Sequence, residues 1–167
     1  SHCLALLAKV VHAAVGIEQG MASVLHASRA QELEQVAAGP AGAQAADWRS
    51  GRGDGVDVIP AASEAARALA ELVPELKGRV TGSCFRVPAP GAVSVVDLTC
   101  VLRSPSELRL IREAVREEAN APRLRGKLGY RDDLVGGDDF ATDSRSCIFD
   151  GASSMSVSPT FVKLIAW

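Results

Sequence analysis

Two extended runs, residues 79–87 and 93–102, limit the fold more than any other part of this sequence. Both are rich in apolar and β-branched residues, and the segment between them contains Pro90-Gly91, a pair typical of turns. Arg86 interrupts the first run. An arginine on a strand has two interpretations: it pairs with a carboxylate at a sheet edge, or it is held rigidly to bind an anion.

Apolar residues at helical spacing predict helices in three other stretches. Residues 3–15 form one apolar face that ends at Gly16, and residues 17–28 then have the character of a strand. Ser63 is a candidate N-cap for a short second helix. The third helix is predicted to begin with a capping box at residues 104–107, which read SPSE.

Strand-like runs outnumber these helices. Short apolar segments bounded by Gly, Asp or Ser follow at residues 127–130, 145–149 and 161–167. A majority of strands, with helices at three places, favours an α+β domain in which a mostly antiparallel sheet is covered by helices on one face. The length of 167 residues suits one domain, residues 1–167, with its own core.

Composition excludes several classes of partner. Apolar residues make up 47% of the chain and charged residues 23%, which is typical of globular proteins. The net charge of −2 provides no basic field, so we expect neither nucleic acid nor an anionic membrane surface as a partner. No apolar run reaches the ~18 residues that a membrane span requires.

The cysteines and glycines exclude further sites. Cys3, Cys84, Cys100 and Cys147 are far apart and form no CxxC pair, so we predict no metal site and no redox motif. Reduced thiols and the absence of a signal-peptide pattern favour a cytoplasmic location. The chain has no GxGxxG and no GxxxxGK[ST], and therefore no nucleotide-phosphate loop of its own.

Eight segments, in order along nearly the whole chain, resemble the catalytic domain of phosphorylating glyceraldehyde-3-phosphate dehydrogenases. They read LALLAKVVHAAVGIEQG, DWRSGRG, VIPAASEAA, LVPELKGRVTGSCFRVP, VSVVDLTC, LGYRDD, DDFATDSRSCIFD and FVKLIAW. The resemblance implies a mixed sheet with helices on one face, and an NAD-binding Rossmann domain that is absent from this chain. It also implies a homo-oligomer that oxidises a phosphorylated aldehyde with NAD, through a cysteine thiohemiacetal, and transfers the acyl group to inorganic phosphate.

The resemblance assigns candidate site residues. Arg86 matches the arginine of the family motif FRVP, which binds a phosphate, and Ser63 keeps a hydroxyl where the family has the threonine of ASTGAA.

The catalytic histidine of the family lies in the pattern TTVHAxTxxQ, which corresponds to ASVLHASRAQ in this chain. Without gaps, Ser28 replaces a phosphate-binding threonine, but Leu25 takes the catalytic position. His26 comes one residue later, on the opposite face of a strand unless a bulge restores it. His26 is therefore either the catalytic histidine or a histidine without a catalytic role.

The family's nucleophilic cysteine has no match in this chain. In the family motif SCTTNCLAP, Cys3 matches the second cysteine, so the position of the nucleophile falls before Ser1. We interpret Cys3 as a helix cysteine rather than a displaced nucleophile, and expect this chain alone to be inactive. Three functions stay open: the catalytic part of a dehydrogenase, a non-catalytic paralogue that keeps the fold for assembly or partner binding, and a free-standing anion-binding module.

Glu64 generates the first prediction, because it replaces the glycine of ASTGAA whose backbone faces the attacking phosphate in the family. In the first turn of a helix capped by Ser63, its carboxylate would compete with an anion for the free N–H groups. Two unit charges ~4 Å apart repel by roughly 1 kcal/mol in water and more near a protein surface. We expect Glu64→Gly to bind phosphate about tenfold more tightly in a calorimetric titration, whereas Glu71→Gln leaves the affinity unchanged. Equal affinity in Glu64→Gly and the native chain would mean that this carboxylate points away from the site.

Overall fold

A computed structural model describes residues 2–28, 58–61, 65–89 and 93–167. This part of the chain contains three α-helices and seven strands. The helices are α1 (His2–Val15), α2 (Ala65–Leu72) and α3 (Leu108–Asn120). The strands are β1 (Ile17–Ser28), β2 (Ile59–Ala61), β3 (Val80–Pro88), β4 (Ser94–Leu102), β5 (Leu128–Arg131), β6 (Cys147–Ser158) and β7 (Phe161–Ala166).

All seven strands belong to one sheet, in the order β2-β3-β1-β4-β7-β6-β5. β1 pairs with β3, and β5 with β6, in parallel, whereas the other four pairings are antiparallel. The predicted α+β class with a mixed, mostly antiparallel sheet is confirmed. The two runs with which the sequence analysis began become β3 and β4, but they do not pair with each other, because β1 lies between them.

The helices cover one face of this sheet. Alternate positions of the central strands, such as Val24 and Leu98, are buried in one core with helix residues such as Leu4 and Ile111. The opposite face carries exposed apolar residues, of which Met21 in β1 is 69% exposed. Helices on one face were predicted and are confirmed. In the described part of the chain, no helix is long and apolar enough to cross a membrane.

The turn from α1 into β1 follows the prediction. Gly16 has a φ of 72°, a left-handed conformation that favours glycine at the end of a helix, and its N–H donates to the His12 carbonyl at 3.0 Å. The N–H of Ile17 donates to Nδ1 of His12 at 2.9 Å. The histidine side chain therefore completes the end of α1, and the chain turns directly onto the sheet.

The start of α3 differs from the prediction. Its N-cap is Glu107, which makes no capping hydrogen bond with its side chain, so the predicted capping box is wrong. The N–H of Ser106 instead donates to the Pro159 carbonyl at 2.7 Å, in the turn between β6 and β7. This tertiary bond satisfies the backbone donor of the residue just before the N-cap. Ser63, the predicted N-cap of the helix observed as α2, lies outside the described residues.

Close contact between β1 and β3 depends on Gly82. A Cβ atom at this position would lie 2.5 Å from the backbone oxygen of Ala22, its register partner in β1. Backbone atoms inside a sheet cannot yield as a flexible side chain does, so a larger residue here must separate the two strands.

We therefore expect Gly82→Ala to lower the free energy of unfolding by about 1–3 kcal/mol, the usual cost of overpacking. Urea denaturation followed by circular dichroism measures this change. The control is Ser83→Ala at the neighbouring exposed position, which we expect to stay within about 0.5 kcal/mol of the native chain. A Gly82→Ala variant as stable as the control would show that β3 can shift without cost.

Candidate functional site

Three polar residues lie side by side across the middle of the sheet. His26 in β1 is paired with Arg86 in β3 and with Ser94 in β4. Residues directly opposite one another on adjacent strands project from the same face. His26 is two positions beyond the buried Val24, so these residues share the helix-covered face and begin where the apolar core ends. We call Arg86, His26 and Ser94 the polar row.

His26 is neutral in this environment. Its Nδ1 atom lies 2.5 Å from Oγ of Ser94, within hydrogen-bonding distance. Burial of the ring lowers the pKa of His26 from 6.5, because a charged imidazolium loses hydration, and the positive charge of Arg86 lowers this pKa further. At neutral pH the ring therefore keeps a lone pair with which it can accept a proton.

Leu25, which the gapless comparison placed at the catalytic position, lies on the other face of the sheet. It lines an apolar cavity of about 540 Å³ together with Val87, Val95 and Trp167. The pairing of β1 with β3 is uninterrupted through His26, so no bulge is needed to bring His26 beside Arg86. His26, not Leu25, therefore lies beside Arg86 on the helix-covered face of the sheet.

Arg86 does not fit the interpretation of a paired arginine at a sheet edge. Its strand is flanked by β1 on one side and β2 on the other. Within the described ranges, no carboxylate forms a salt bridge with Arg86. The side chain is half-buried, on a backbone that two neighbouring strands hold. A guanidinium in this situation has unused donors for an anion.

The two predicted hydroxyl ligands remain predictions. Ser28 ends β1 opposite Pro88, two positions beyond His26, and its side chain is outside the described part of the structure. Ser63 and Glu64 lie wholly outside the described residues. The structure thus brings together His26 and Arg86, places the backbone of Ser28 near them, and leaves the position of Ser63 open.

The buried thiols are poor nucleophiles. Burial raises the pKa of Cys84, and it raises the pKa of Cys100 to about 12. The pKa of Cys147 is raised well above its usual range by contact with the thiol of Cys3 and by burial. Because the thiolate is the reactive form, these three cysteines are unreactive near neutral pH.

Cys3 faces the end of β7 rather than the polar row. Its Sγ donates to the carbonyl oxygen of Trp167 at 3.5 Å, which favours a helix cysteine over a displaced nucleophile. Trp167 directly follows Ala166, which pairs with Val96, and Ser94 is two residues from Val96. The start of α1 is therefore at the same end of the sheet as the polar row.

Ser94 is the site residue that the sequence analysis missed. It is the first residue of β4, and nothing in its local sequence distinguishes it from other serines at strand ends. Its significance comes from the antiparallel pairing of β4 with β1, which brings its hydroxyl to the imidazole. A pattern of three side chains on three strands cannot be read from spacing along the chain.

The lowered pKa of His26 predicts a pH dependence of stability. The unfolded histidine titrates near 6.5 and the folded one lower, so the unfolded state binds more protons as the pH falls. The contribution of neutral His26 to stability is present above pH 6.5. It is lost as the pH falls through the pKa that His26 has in the folded chain.

We expect the free energy of unfolding of His26→Gln to depend less steeply on pH than that of the native chain across this range. Urea denaturation at a series of pH values measures the difference. His2→Gln, at an exposed position, serves as the control and should keep the native slope. A native slope in His26→Gln would contradict the assignment.

Comparison with known proteins identifies the family of the chain. The sequence model described as "Glyceraldehyde 3-phosphate dehydrogenase, C-terminal domain" matches residues 1–167. The whole chain is 46% identical to glyceraldehyde-3-phosphate dehydrogenase 1 of Globodera rostochiensis and covers 49% of it. It is 44% identical to glyceraldehyde-3-phosphate dehydrogenase 2 of Danio rerio and covers 48% of that protein. The chain thus spans about half the length of the curated relatives that it matches. It belongs to the glyceraldehyde-3-phosphate dehydrogenase family, as a C-terminal domain.

Proposed function

We propose that this domain is the catalytic half of an NAD-dependent phosphorylating aldehyde dehydrogenase, in which it supplies a general base and an anion-binding arginine. The observation that carries the proposal is the polar row, since it places a neutral imidazole beside a guanidinium without a salt-bridge partner in the described ranges. These are the two groups that the oxidation of a phosphorylated aldehyde requires from the protein, besides the nucleophile.

His26 acts in this scheme as the base. A thiol adds to the aldehyde carbon and its proton passes to the carbonyl oxygen, which gives a thiohemiacetal with a hydroxyl group. His26 would then accept the hydroxyl proton as the C–H hydrogen is removed as hydride. NAD, when bound, supplies the hydride acceptor. The acyl thioester that remains is then attacked by inorganic phosphate, and His26 returns its proton to the departing thiolate.

The nucleophile and the cofactor site are assigned to the other half of the protein. The buried thiols described above are protonated, and the sequence has no dinucleotide loop. A nucleophile preceding α1 would reach the polar row, because the start of α1 lies at that end of the sheet. We therefore assign no cofactor-binding residue in this chain.

Arg86 binds the anionic group of a substrate, either the phosphate of the aldehyde or the attacking phosphate. A guanidinium binds two oxygens of a phosphate at once, and the strand backbone fixes its direction. The same positive charge lowers the pKa of His26 and thereby keeps the base in its neutral form. Anion binding and proton transfer are thus coupled through adjacent strands.

The position of His26 revises the role proposed for Ser28. If His26 is the histidine of the family pattern HAxT, the following positions are Ala27, Ser28 and Arg29, and the threonine position falls on Arg29. The roles predicted for His26 and Ser28 therefore require two different alignments, of which the geometry supports the one with His26. An arginine binds phosphate by charge, so Arg29 is a second candidate ligand beside Ser28.

The catalytic interpretation is favoured over a non-catalytic paralogue. A protein that kept the fold only for assembly has no need of a neutral histidine between an arginine and a serine. A free-standing anion-binding module is disfavoured because the chain belongs to a dehydrogenase family and its relatives are named as glyceraldehyde-3-phosphate dehydrogenases. Partners are accordingly a phosphorylated aldehyde, inorganic phosphate and further copies of the same subunit.

A chimera tests the function. The part of the Globodera rostochiensis relative that precedes the matched region is joined to this chain, and NADH formation is measured with glyceraldehyde 3-phosphate, NAD and phosphate. We expect activity from the chimera and none from the chain alone. His26→Asn should lower kcat about 10²- to 10⁴-fold, as loss of a general base does. Arg86→Gln should raise KM for a phosphate-bearing substrate.

Controls make the outcome unambiguous. Arg79→Gln, which removes an exposed arginine that directly precedes β3 and pairs with Glu18, should leave both constants unchanged. A chimera that is folded and binds NAD but forms no NADH would overturn the proposal. Calorimetry on the chain alone gives an independent result: phosphate affinity that is equal in the native chain and Arg86→Gln would exclude Arg86 as the anion ligand.

A further inference from the structure

The contact between Ser94 and His26 is fixed by backbone pairing on both sides. His26 belongs to β1, which is paired with β3 on one side and β4 on the other. Ser94 begins β4 directly opposite His26, and its short side chain has few conformations. The 2.5 Å separation between Oγ and Nδ1 therefore joins two groups whose positions the sheet determines. A solvent-exposed contact between long side chains would not be held in this way.

Which nitrogen of His26 carries the proton depends on both neighbours. A neutral imidazole has one N–H group and one lone pair, and a serine hydroxyl can donate to it or accept from it. Ser94 alone therefore permits both tautomers. Arg86 lies on the opposite side of His26, on β3, and carries a positive charge that acts on the ring. This charge favours the tautomer whose N–H group points away from it, toward Ser94.

We propose that Ser94 is a positioning residue that holds the proton of neutral His26 on Nδ1 and so leaves the lone pair on Nε2. In this arrangement Nδ1–H donates to Oγ of Ser94. Within the described ranges Nε2 has no hydrogen-bond partner, which leaves it available to a substrate proton. The role of Nε2 as base rests on the proposed function, whereas the position of the proton does not.

The arrangement suits proton transfer. When Nε2 accepts a proton, the bond from Nδ1–H to Ser94 does not have to reverse, so no group around the ring must reorient. With the other tautomer, the hydroxyl of Ser94 would donate to Nδ1, and the lone pair needed for catalysis would be occupied. Ser94 thus acts on the reaction only through His26.

Nitrogen-15 NMR of the imidazole rings tests the proposal on the chain as it exists. The chain has three histidines, and His26→Gln identifies the signals of His26. Above the pH range in which histidine titrates, we expect Nδ1 of His26 to show the shift of a protonated nitrogen and Nε2 that of an unprotonated one. In Ser94→Ala a protonated Nδ1 would be a buried donor without an acceptor, which costs more than a buried lone pair without a donor. The tautomer ratio should therefore shift toward Nε2–H, by about fivefold if the difference is worth one hydrogen bond.

Matched variants separate positioning from a merely structural role. Ser94→Thr keeps the hydroxyl and should restore the native ratio, whereas Ser83→Ala, at an exposed position in β3, should not change it. A native ratio in Ser94→Ala, or a predominance of Nε2–H in the native chain, would overturn the proposal. Because the measurement uses no substrate, its failure leaves the dehydrogenase function standing, and an inactive chimera leaves this inference standing.

Discussion

The pairing of β1 with a strand on each side is the constraint on which the rest of the structure depends. The parallel ladder with β3 and the antiparallel ladder with β4 meet on this strand, and together they align Arg86, His26 and Ser94. A slip of one residue would turn His26 toward the apolar cavity and Leu25 toward the polar row. Burial of Val24 and the close approach at Gly82 oppose such a slip.

The chemistry of the site follows from its place at the end of the core. Burial disfavours the charged form of His26, and the adjacent positive charge of Arg86 lowers the pKa of this histidine further. Farther inside, the same desolvation raises the pKa of the Cys84 and Cys100 thiols and keeps them protonated. One physical effect thus yields a usable base at the boundary and unreactive thiols within.

Local sequence predicted the secondary structure correctly where local interactions determine it. The strand predicted at residues 17–28 is observed as Ile17–Ser28, because alternating burial and Gly16 set both its character and its beginning. The capping box predicted at residues 104–107 is not formed, since the helix begins three residues later, with Glu107 as its N-cap, and the segment before it bonds to the Pro159 carbonyl of a distant turn. Local sequence signals fail to predict a helix start where a distant segment of the chain supplies the hydrogen-bond partner.

By itself the sequence determined the fold class, the family and the candidates Arg86 and His26, since apolar periodicity and motif order are properties of a linear chain. It did not determine which face His26 occupies or that Ser94 contacts it. Those facts depend on strand order and register, which join residues 60 to 68 positions apart in the chain. Only the tertiary structure could determine them, because packing of the whole core decides which strands become neighbours in the sheet.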